Sequence, residues 1–181
     1  GREPALEPAR GDDDPGPAVH PRPSVTETVL ELPSPEATAL FGVAIANVLK
    51  AGQVVFLEGE LGAGKTTLVR AILSGLGWTG SVRSPSYALV HGYPDLAPAI
   101  HHLDLYRIGS MEEALGLDLD HLLDQGGTLL IEWADRLEDA IKPSFTIAME
   151  ITGTESRQAR ITPGTDAYIG ERIIEKGAVP K

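Results

Sequence analysis

Short apolar segments alternate with helical patterns along the chain from residue 25 onwards. Two of the segments, QVVFLE and TLLIE, are apolar at nearly every position, which is typical of parallel strands buried on both faces. Together with less apolar runs, they predict strands at residues 25–30, 53–58, 86–91, 100–106 and 128–132. Alternating positions on either side of Gly153 predict a hairpin formed by residues 145–152 and 157–162.

Three helices are predicted between the strands. Ser34 and Pro35 suit an N-cap and a first helical position, and the helix that they open is expected to end at Gly52. Its apolar stripe is predicted to be Leu40, Val43, Ala44 and Val48. A second helix has a predicted apolar face of Leu68, Val69, Ile72, Leu73 and Leu76, and a capping box from Ser110 to Glu113 opens a short third one. This alternation predicts an α/β fold with a mainly parallel sheet.

Residues 1–24 differ in composition from the rest of the chain. They contain six of its 14 prolines and the acidic run Asp12–Asp14, but only two large aliphatic side chains. So little apolar surface cannot offset the entropy lost on ordering, and the segment is predicted to be a disordered, acidic tail. Residues 25–181 are predicted to form a single domain.

The composition excludes several classes of protein. The chain carries 26 acidic and 15 basic residues, for a net charge of −11, which argues against a protein that grips nucleic acid by bulk charge. The lack of cysteine excludes a disulfide scaffold, a Cys-ligated zinc site and a thiol nucleophile. Since no apolar run reaches membrane-spanning length and no secretory signal is recognisable, we expect a soluble cytoplasmic protein with no membrane partner.

The strongest chemical signal is the segment from Gly59 to Thr66, which fits the phosphate-binding pattern G-x-x-x-x-G-K-[ST]. A chance match at this composition is expected in only about 0.7% of such chains. Glycines let successive backbone N–H groups converge on phosphate oxygens, and Lys65 is expected to reach the β- and γ-phosphates while the Thr66 hydroxyl coordinates Mg²⁺. The predicted nucleotide-binding residues of this P-loop are Gly59, Leu61, Gly62, Ala63, Gly64, Lys65, Thr66 and Thr67.

A P-loop needs an acidic partner at the end of a neighbouring strand to hold the metal. Glu132 ends the apolar run TLLIE, and Asp104 ends the strand-like run IHHLD. We assign Glu132 to Mg²⁺ and Asp104 to the metal-bound or attacking water, although the reverse division fits the pattern equally well. His102 shares a strand face with Asp104, but two ligands without a third make a poor metal site.

A proline-containing loop precedes the Asp104 strand. Many P-loop proteins place a loop that senses the γ-phosphate at this point of the chain, so Ser84, Ser86 and Tyr87 are predicted to form a switch-like loop. The alternative is an ordinary proline loop entering a strand. Trp133, next to Glu132, is either a core residue or an aromatic at the edge of the site.

Four segments together resemble the TsaE (YjeE) family of bacterial P-loop ATPases. They are GELGAGKTT at 59–67, SPSYALV at 84–90, HLDLYR at 102–107 and IEW at 131–133, and the resemblance extends from about Val25 to Ile174. It implies a three-layer P-loop NTPase-like fold, with a mainly parallel central sheet and added antiparallel strands. It also implies ATP or ADP with Mg²⁺ as ligands, and slow ATP hydrolysis.

The resemblance further implies partners and residue roles. Family members act with TsaB and TsaD, which form N6-threonylcarbamoyladenosine at position 37 of tRNA, so this chain is expected to meet tRNA only indirectly. Lys65 and Thr66 match the phosphate lysine and the magnesium threonine of the family. Glu132 matches the metal-linked glutamate, and Asp104 matches the aspartate required for hydrolysis. Thr38 matches a position near the nucleotide base.

The chain departs from the common family pattern at three positions. Ser86 stands where threonine is usual and preserves a hydroxyl, whereas Ala88 removes one. Ala134 replaces a proline after Glu-Trp. None of these changes removes a group that the proposed chemistry needs.

The sequence leaves open two alternatives to an ATPase subunit. One is a small-molecule kinase or a GTPase on the same scaffold, although the guanine-specific N-K-x-D motif is absent and no arginine-rich lid is recognisable. The other is a nucleotide-gated adaptor without meaningful turnover. A dinucleotide-binding protein is excluded, because Thr67 stands where its third glycine would be. For hydrolysis, Arg107 is a candidate to act in cis, with a partner protein as the alternative source of an arginine.

Overall fold

A computed structural model of the chain describes residues 26–137 and 139–178. The predicted disordered tail, residues 1–24, lies outside the described residues. The strands are β1 (Thr28–Leu32), β2 (Val54–Glu58), β3 (Val90–Tyr93), β4 (Ile100–Asp104), β5 (Thr128–Glu132), β6 (Phe145–Ile151) and β7 (Arg157–Pro163). The helices are α1 (Pro35–Ala46), α2 (Lys65–Gly75), α3 (Met111–Leu115), α4 (Leu119–Asp124) and α5 (Ile169–Glu175), and a 3₁₀ turn covers Ala134–Leu137. In these two ranges, no helix combines the length and the apolar character needed to cross a membrane.

The described strands form one sheet with the order β1-β7-β6-β2-β5-β4-β3. Its centre is parallel, since β2 pairs in parallel with β5 and β6, and β4 pairs in parallel with β5. The outer strands are antiparallel: β7 to β6, β1 to β7, and β3 to β4. The predicted mainly parallel sheet with added antiparallel strands is therefore confirmed.

Helices cover both faces of the sheet and give the predicted three layers. Val55 and Leu57 of β2 belong to one buried cluster, which also contains apolar residues of α1, α2 and α5. Val54 and Phe56, which alternate with them, belong to a second cluster with residues of α3, α4 and the 3₁₀ turn. Because successive residues of a strand face opposite sides, β2 must be apolar at every inner position.

The buried face of α1 differs from the predicted stripe. Leu40 and Val43 are 51% and 38% exposed, and the helix ends at Ala46 rather than near Gly52. The face that packs inward contains Ala37, Thr38, Phe41, Ala44 and Ile45. Small residues on this face allow α1 to approach α2 closely, with Gly42 directly opposite Ala71. Ala44 and Val48 are buried as predicted, whereas the prediction was wrong for Leu40 and Val43. The reason is that α1 is apolar around much of its circumference, so periodicity alone does not choose the buried side.

Strand boundaries also differ from the predictions around the candidate site. β1 begins at residue 28 instead of 25, β4 ends at Asp104 instead of Tyr106, and β3 covers residues 90–93 instead of 86–91. Residues 86–89 form a turn, in which Leu89 has a φ of 65° and its N–H donates to the carbonyl of Pro85 at 2.6 Å. The polar contacts of this turn, described below, take the place of sheet pairing.

The close approach of α1 and α2 predicts that Gly42→Ala destabilises the protein. A Cβ at Gly42 would lie 2.3 Å from the Cβ of Ala71 and 2.9 Å from its carbonyl carbon, so one helix must move. We expect the free energy of unfolding in urea to fall by about 1–3 kcal/mol, despite the better helix propensity of alanine. Gly109→Ala is the matched control, since the nearest atom to its added Cβ would be 3.8 Å away. Equal urea midpoints for Gly42→Ala and the wild type would contradict the prediction.

Candidate functional site

A cleft of about 420 Å³ lies where the carboxyl ends of β2, β4 and β5 meet the N-terminus of α2. Its volume falls within the range of ordinary small-molecule sites. The residues that line it are Leu61, Gly62, Gly64, Lys65, Thr66, Thr67, Ser84, Ser86, Asp104, Tyr106, Arg107, Glu132 and Trp133. They come from separate parts of the chain, and the parallel pairing of the three strands brings them together.

The P-loop connects β2 to α2 through a bend that requires glycine. Gly59 has a φ of 139°, and a Cβ there would lie 2.5 Å from the carbonyl oxygen of Met149 on β6. Gly64, with a φ of 102°, is the N-cap of the 11-residue helix α2. The bend leaves the N-terminus of α2 facing the cleft, where its N–H groups and its dipole favour an anion such as phosphate.

The Lys65 side chain is folded back over the P-loop. Its Nζ donates to the carbonyl oxygens of Gly59 and Glu60, the latter at 3.0 Å, and lies 4.5 Å from the ring centroid of Trp133. Burial lowers the pKa of Lys65, and the nearby carboxylates of Glu132, Asp104 and Glu60 oppose that shift. The ammonium is therefore held near the cleft by groups that phosphate oxygens can replace.

Two carboxylates lie side by side opposite Lys65. Asp104 and Glu132 are register partners at the ends of β4 and β5, and both are buried. Oε1 of Glu132 accepts a hydrogen bond from the Thr66 hydroxyl at 3.0 Å and another from Nε2 of His102 at 2.8 Å. The carboxylate thereby fixes the hydroxyl at the start of α2.

His102 contacts Glu132, and the sequence did not predict this contact. The pattern offered it as half of a His/Asp metal pair, but the structure directs its fully buried ring towards Glu132 instead. Its Nδ1 has no hydrogen-bond partner among the described residues. The available signal was weak: His102 and Asp104 share one strand face, but the register of β4 against β5 was unknown.

The predicted switch-like loop is attached to Asp104. Its Oδ2 accepts hydrogen bonds from the hydroxyls of Ser84 at 2.6 Å and Ser86 at 3.2 Å, and its Oδ1 accepts from the backbone N–H of Tyr106 at 3.0 Å. Tyr87, at the tip of the turn, is 85% exposed. The two hydrogen bonds to Oδ2 therefore link the loop to the end of β4, while the bond to Oδ1 holds the backbone that follows this strand.

Arg107 and two aromatic residues complete the wall of the cleft. The guanidinium of Arg107 lies 4.3 Å from the ring centroid of Tyr87, and the rings of Tyr106 and Trp133 are 5.0 Å apart. Trp133 has a φ of 60°, an unusual conformation for a bulky residue, directly after Glu132. Trp133 combines the two roles left open for it, since it lines the cleft and also packs, partly buried, against the second core cluster.

The oxygen donors of the cleft fit Mg²⁺ bound together with a phosphate ligand. Within residues 26–137 and 139–178, no group of three or more His, Asp or Glu side chains is arranged to hold a metal alone. The Thr66 hydroxyl and the carboxylates of Asp104 and Glu132 nevertheless line one cleft. Mg²⁺ commonly takes one or two protein oxygens and completes its shell with phosphate oxygens and water. The residues present suit that arrangement.

Most of the predicted site residues line the cleft, and four of them lie outside its lining. Gly59 and Ala63 belong to the P-loop but lie behind its surface, where Ala63 is fully buried. Tyr87 is at the rim, against Arg107. Thr38 is buried on α1 and does not line the cleft, so its contact with a nucleotide base stays a prediction.

Comparison with known proteins gives consistent matches over most of the chain. The model of the family described as "Threonylcarbamoyl adenosine biosynthesis protein TsaE" matches residues 32–161. A protein of Nostoc sp. (strain PCC 7120), described as tRNA threonylcarbamoyladenosine biosynthesis protein TsaE, is 41% identical over 143 residues, which cover 75% of this chain and 86% of the relative. The Bacillus subtilis (strain 168) protein of the same description is 35% identical over 136 residues, covering 75% and 85%.

A solved structure has the same fold. The crystal structure of Bacillus subtilis YdiB matches with a TM-score of 0.71 at 28% sequence identity, and the match covers 84% of this chain and 97% of that one. The α/β fold of the chain is thus also found in that protein.

The position of Lys65 predicts a fluorescence signal for phosphate-ligand binding. The chain has two tryptophans, Trp133 beside Lys65 and Trp78 beyond the far end of α2. In a Trp78→Phe variant, MgADP should change the emission of Trp133 saturably, because the ammonium must leave the ring to reach phosphate. Trp133→Phe is the matched control and should show no change. If calorimetry detects binding but the emission of Trp133 does not change, Lys65 keeps its present position.

Proposed function

Because this chain belongs to the TsaE family, we propose that it is the Mg²⁺-dependent, ATP-binding and weakly ATP-hydrolysing member of a tRNA-modifying system. Its role lies in the biosynthesis of threonylcarbamoyladenosine in tRNA. ATP and ADP are the proposed substrate and product, with Mg²⁺ as cofactor. The observation that carries the proposal is the cleft in which Lys65 and Thr66 face the paired carboxylates of Asp104 and Glu132.

Each group of the cleft has a task that its position supports. The backbone N–H groups of the P-loop and the Lys65 ammonium bind the β- and γ-phosphates, and the Thr66 hydroxyl, oriented by Glu132, offers an oxygen to the metal. Mg²⁺, when bound, would neutralise charge on the phosphates. Asp104 orients the water that attacks the γ-phosphate or a water bound to the metal, and its bonds to Ser84 and Ser86 let the switch-like loop respond to the ligand.

We also propose that partner proteins regulate turnover. TsaD and TsaB are the expected partners, tRNA is met only through them, and the cytoplasm is the expected location of such a system. The Arg107 guanidinium lies over the exposed ring of Tyr87, so a partner that contacts Tyr87 would free Arg107 to act on the phosphates. We expect an arginine held in this way to keep the turnover of the isolated chain low.

Single substitutions in the cleft should remove ATP turnover. Lys65→Ala deletes the cation that meets the phosphates, and Glu132→Ala leaves the Thr66 hydroxyl and His102 without their shared acceptor. We expect the kcat for phosphate release to fall by at least about 10²-fold in either variant. Lys50→Ala, an exposed lysine outside the cleft, is the matched control and should keep wild-type turnover. Unchanged turnover in Lys65→Ala or Glu132→Ala would refute the assignment of the site. If the wild-type protein transferred the phosphate of ATP to a metabolite instead of releasing it, a kinase would be indicated.

Assembly with the modifying proteins should depend on the nucleotide. We expect the chain to co-purify with the TsaB–TsaD pair in the presence of ATP and Mg²⁺ and to release phosphate faster there than alone. Asp104→Ala should still assemble, because Lys65, Thr66 and Glu132 remain to bind the nucleotide, but it should not release phosphate, because the carboxylate that orients water is lost. Nucleotide-dependent assembly without phosphate release by the wild type would instead support the adaptor. A salt-sensitive shift of tRNA by the isolated chain would contradict indirect contact with tRNA.

A further inference from the structure

Arg157, the first residue of β7, reaches from the antiparallel side of the sheet to the P-loop. Its Nε donates to the carbonyl oxygen of Ala63 at 3.0 Å, and one Nη donates to the carbonyl of Gly62 at 3.3 Å. The other Nη donates to the carbonyls of Gly153, at 3.2 Å, and Ser156, at 2.8 Å. A single guanidinium therefore joins two peptide groups of the P-loop to the turn between β6 and β7.

These bonds set the direction in which a P-loop N–H group points. In a trans peptide, the C=O and the N–H of the next residue point in opposite directions. When the carbonyl of Ala63 turns outward to Arg157, the N–H of Gly64 must point away from the guanidinium. Gly64 lines the cleft, and a Cβ on it would lie 3.9 Å from Nε of Arg157, so the guanidinium lies close behind the loop.

We propose that Arg157 is a positioning residue that holds the P-loop in its phosphate-binding shape and couples that shape to the β6–β7 turn. The inference rests on the proposed function, because it assumes that the P-loop binds a nucleotide phosphate. Arg157 does not line the cleft, so its effect is exerted through the backbone.

The planar guanidinium of arginine suits this task, whereas the ammonium of lysine does not. A guanidinium directs several N–H donors at fixed angles and can serve the carbonyls of Gly62 and Ala63 while it serves the turn, whereas an ammonium is a single point charge. Arg160, on the same strand, offers a contrast. It is partly exposed and its guanidinium donates at 3.0 Å to Glu27, away from the P-loop.

The test compares Arg157→Met, Arg157→Lys and the control Arg160→Met in the full chain. The dissociation constant of MgADP is measured by calorimetry, kcat and KM are measured for ATP, and thermal unfolding without nucleotide reports folding. For Arg157→Met we expect the dissociation constant and KM to rise about tenfold, the loss expected for charge-assisted hydrogen bonds, with kcat at saturating ATP within about threefold of the wild type. Arg157→Lys should bind with intermediate affinity, and Arg160→Met should bind like the wild type.

Several results would overturn the inference. Arg157→Met with wild-type affinity would show that the P-loop keeps its shape unaided. If Arg160→Met weakens MgADP binding as much as Arg157→Met does, the effect would come only from the loss of positive charge. If Arg157→Lys binds MgADP with wild-type affinity, the geometry of the guanidinium is not needed. If Arg157→Met is unfolded, Arg157→Lys decides: weaker binding by a folded lysine variant supports positioning. If the wild-type protein binds no nucleotide, the proposed function itself is wrong. This result differs from those that contradict only the role of Arg157, so the two failures can be distinguished.

Discussion

The parallel pairing of three adjacent strands is the constraint on which the chemistry of this protein depends. β2 leads into the P-loop, while β5 and β4 end at Glu132 and Asp104, which are register partners. Because alternate residues of a strand face the same side, both carboxylates lie on the face of the sheet where Lys65 and Thr66 begin α2. A register slip of one residue would turn either carboxylate to the opposite face and separate it from the P-loop.

The cleft holds one buried cation, Lys65, and two buried carboxylates, Asp104 and Glu132. Desolvation lowers the pKa of Lys65, and the charges of Glu132 and Asp104 counteract it. Glu132 is further held by hydrogen bonds from His102 and Thr66, which fix its position in the cleft.

The hairpin of β6 and β7 supports the P-loop at the end of the parallel part of the sheet. The carbonyl of Met149 on β6 packs where a side chain at Gly59 would otherwise lie, and Arg157 on β7 binds the outer carbonyls of the same loop. The hairpin of β6 and β7 therefore contributes to the P-loop as well as to the core. Any contact that changed its turn would be transmitted to the loop through one guanidinium.

Local signals in the sequence determined the P-loop, the cap at Ser34 and the buried strands, because a glycine bend, a side-chain cap and an all-apolar run act between neighbouring residues. They also indicated two strand-end acids, but not that these are paired in register. Periodicity correctly places Ala44 and Val48 in the core but wrongly adds Leu40 and Val43 of α1. It also predicts a strand where residues 86–89 form a turn, since hydrogen bonds from Ser84 and Ser86 to a distant carboxylate outweigh strand propensity there. The contacts between Thr66, His102 and Glu132 and the reach of Arg157 depend on the three-dimensional fold, because the partners are up to 95 positions apart and meet only through the strand order.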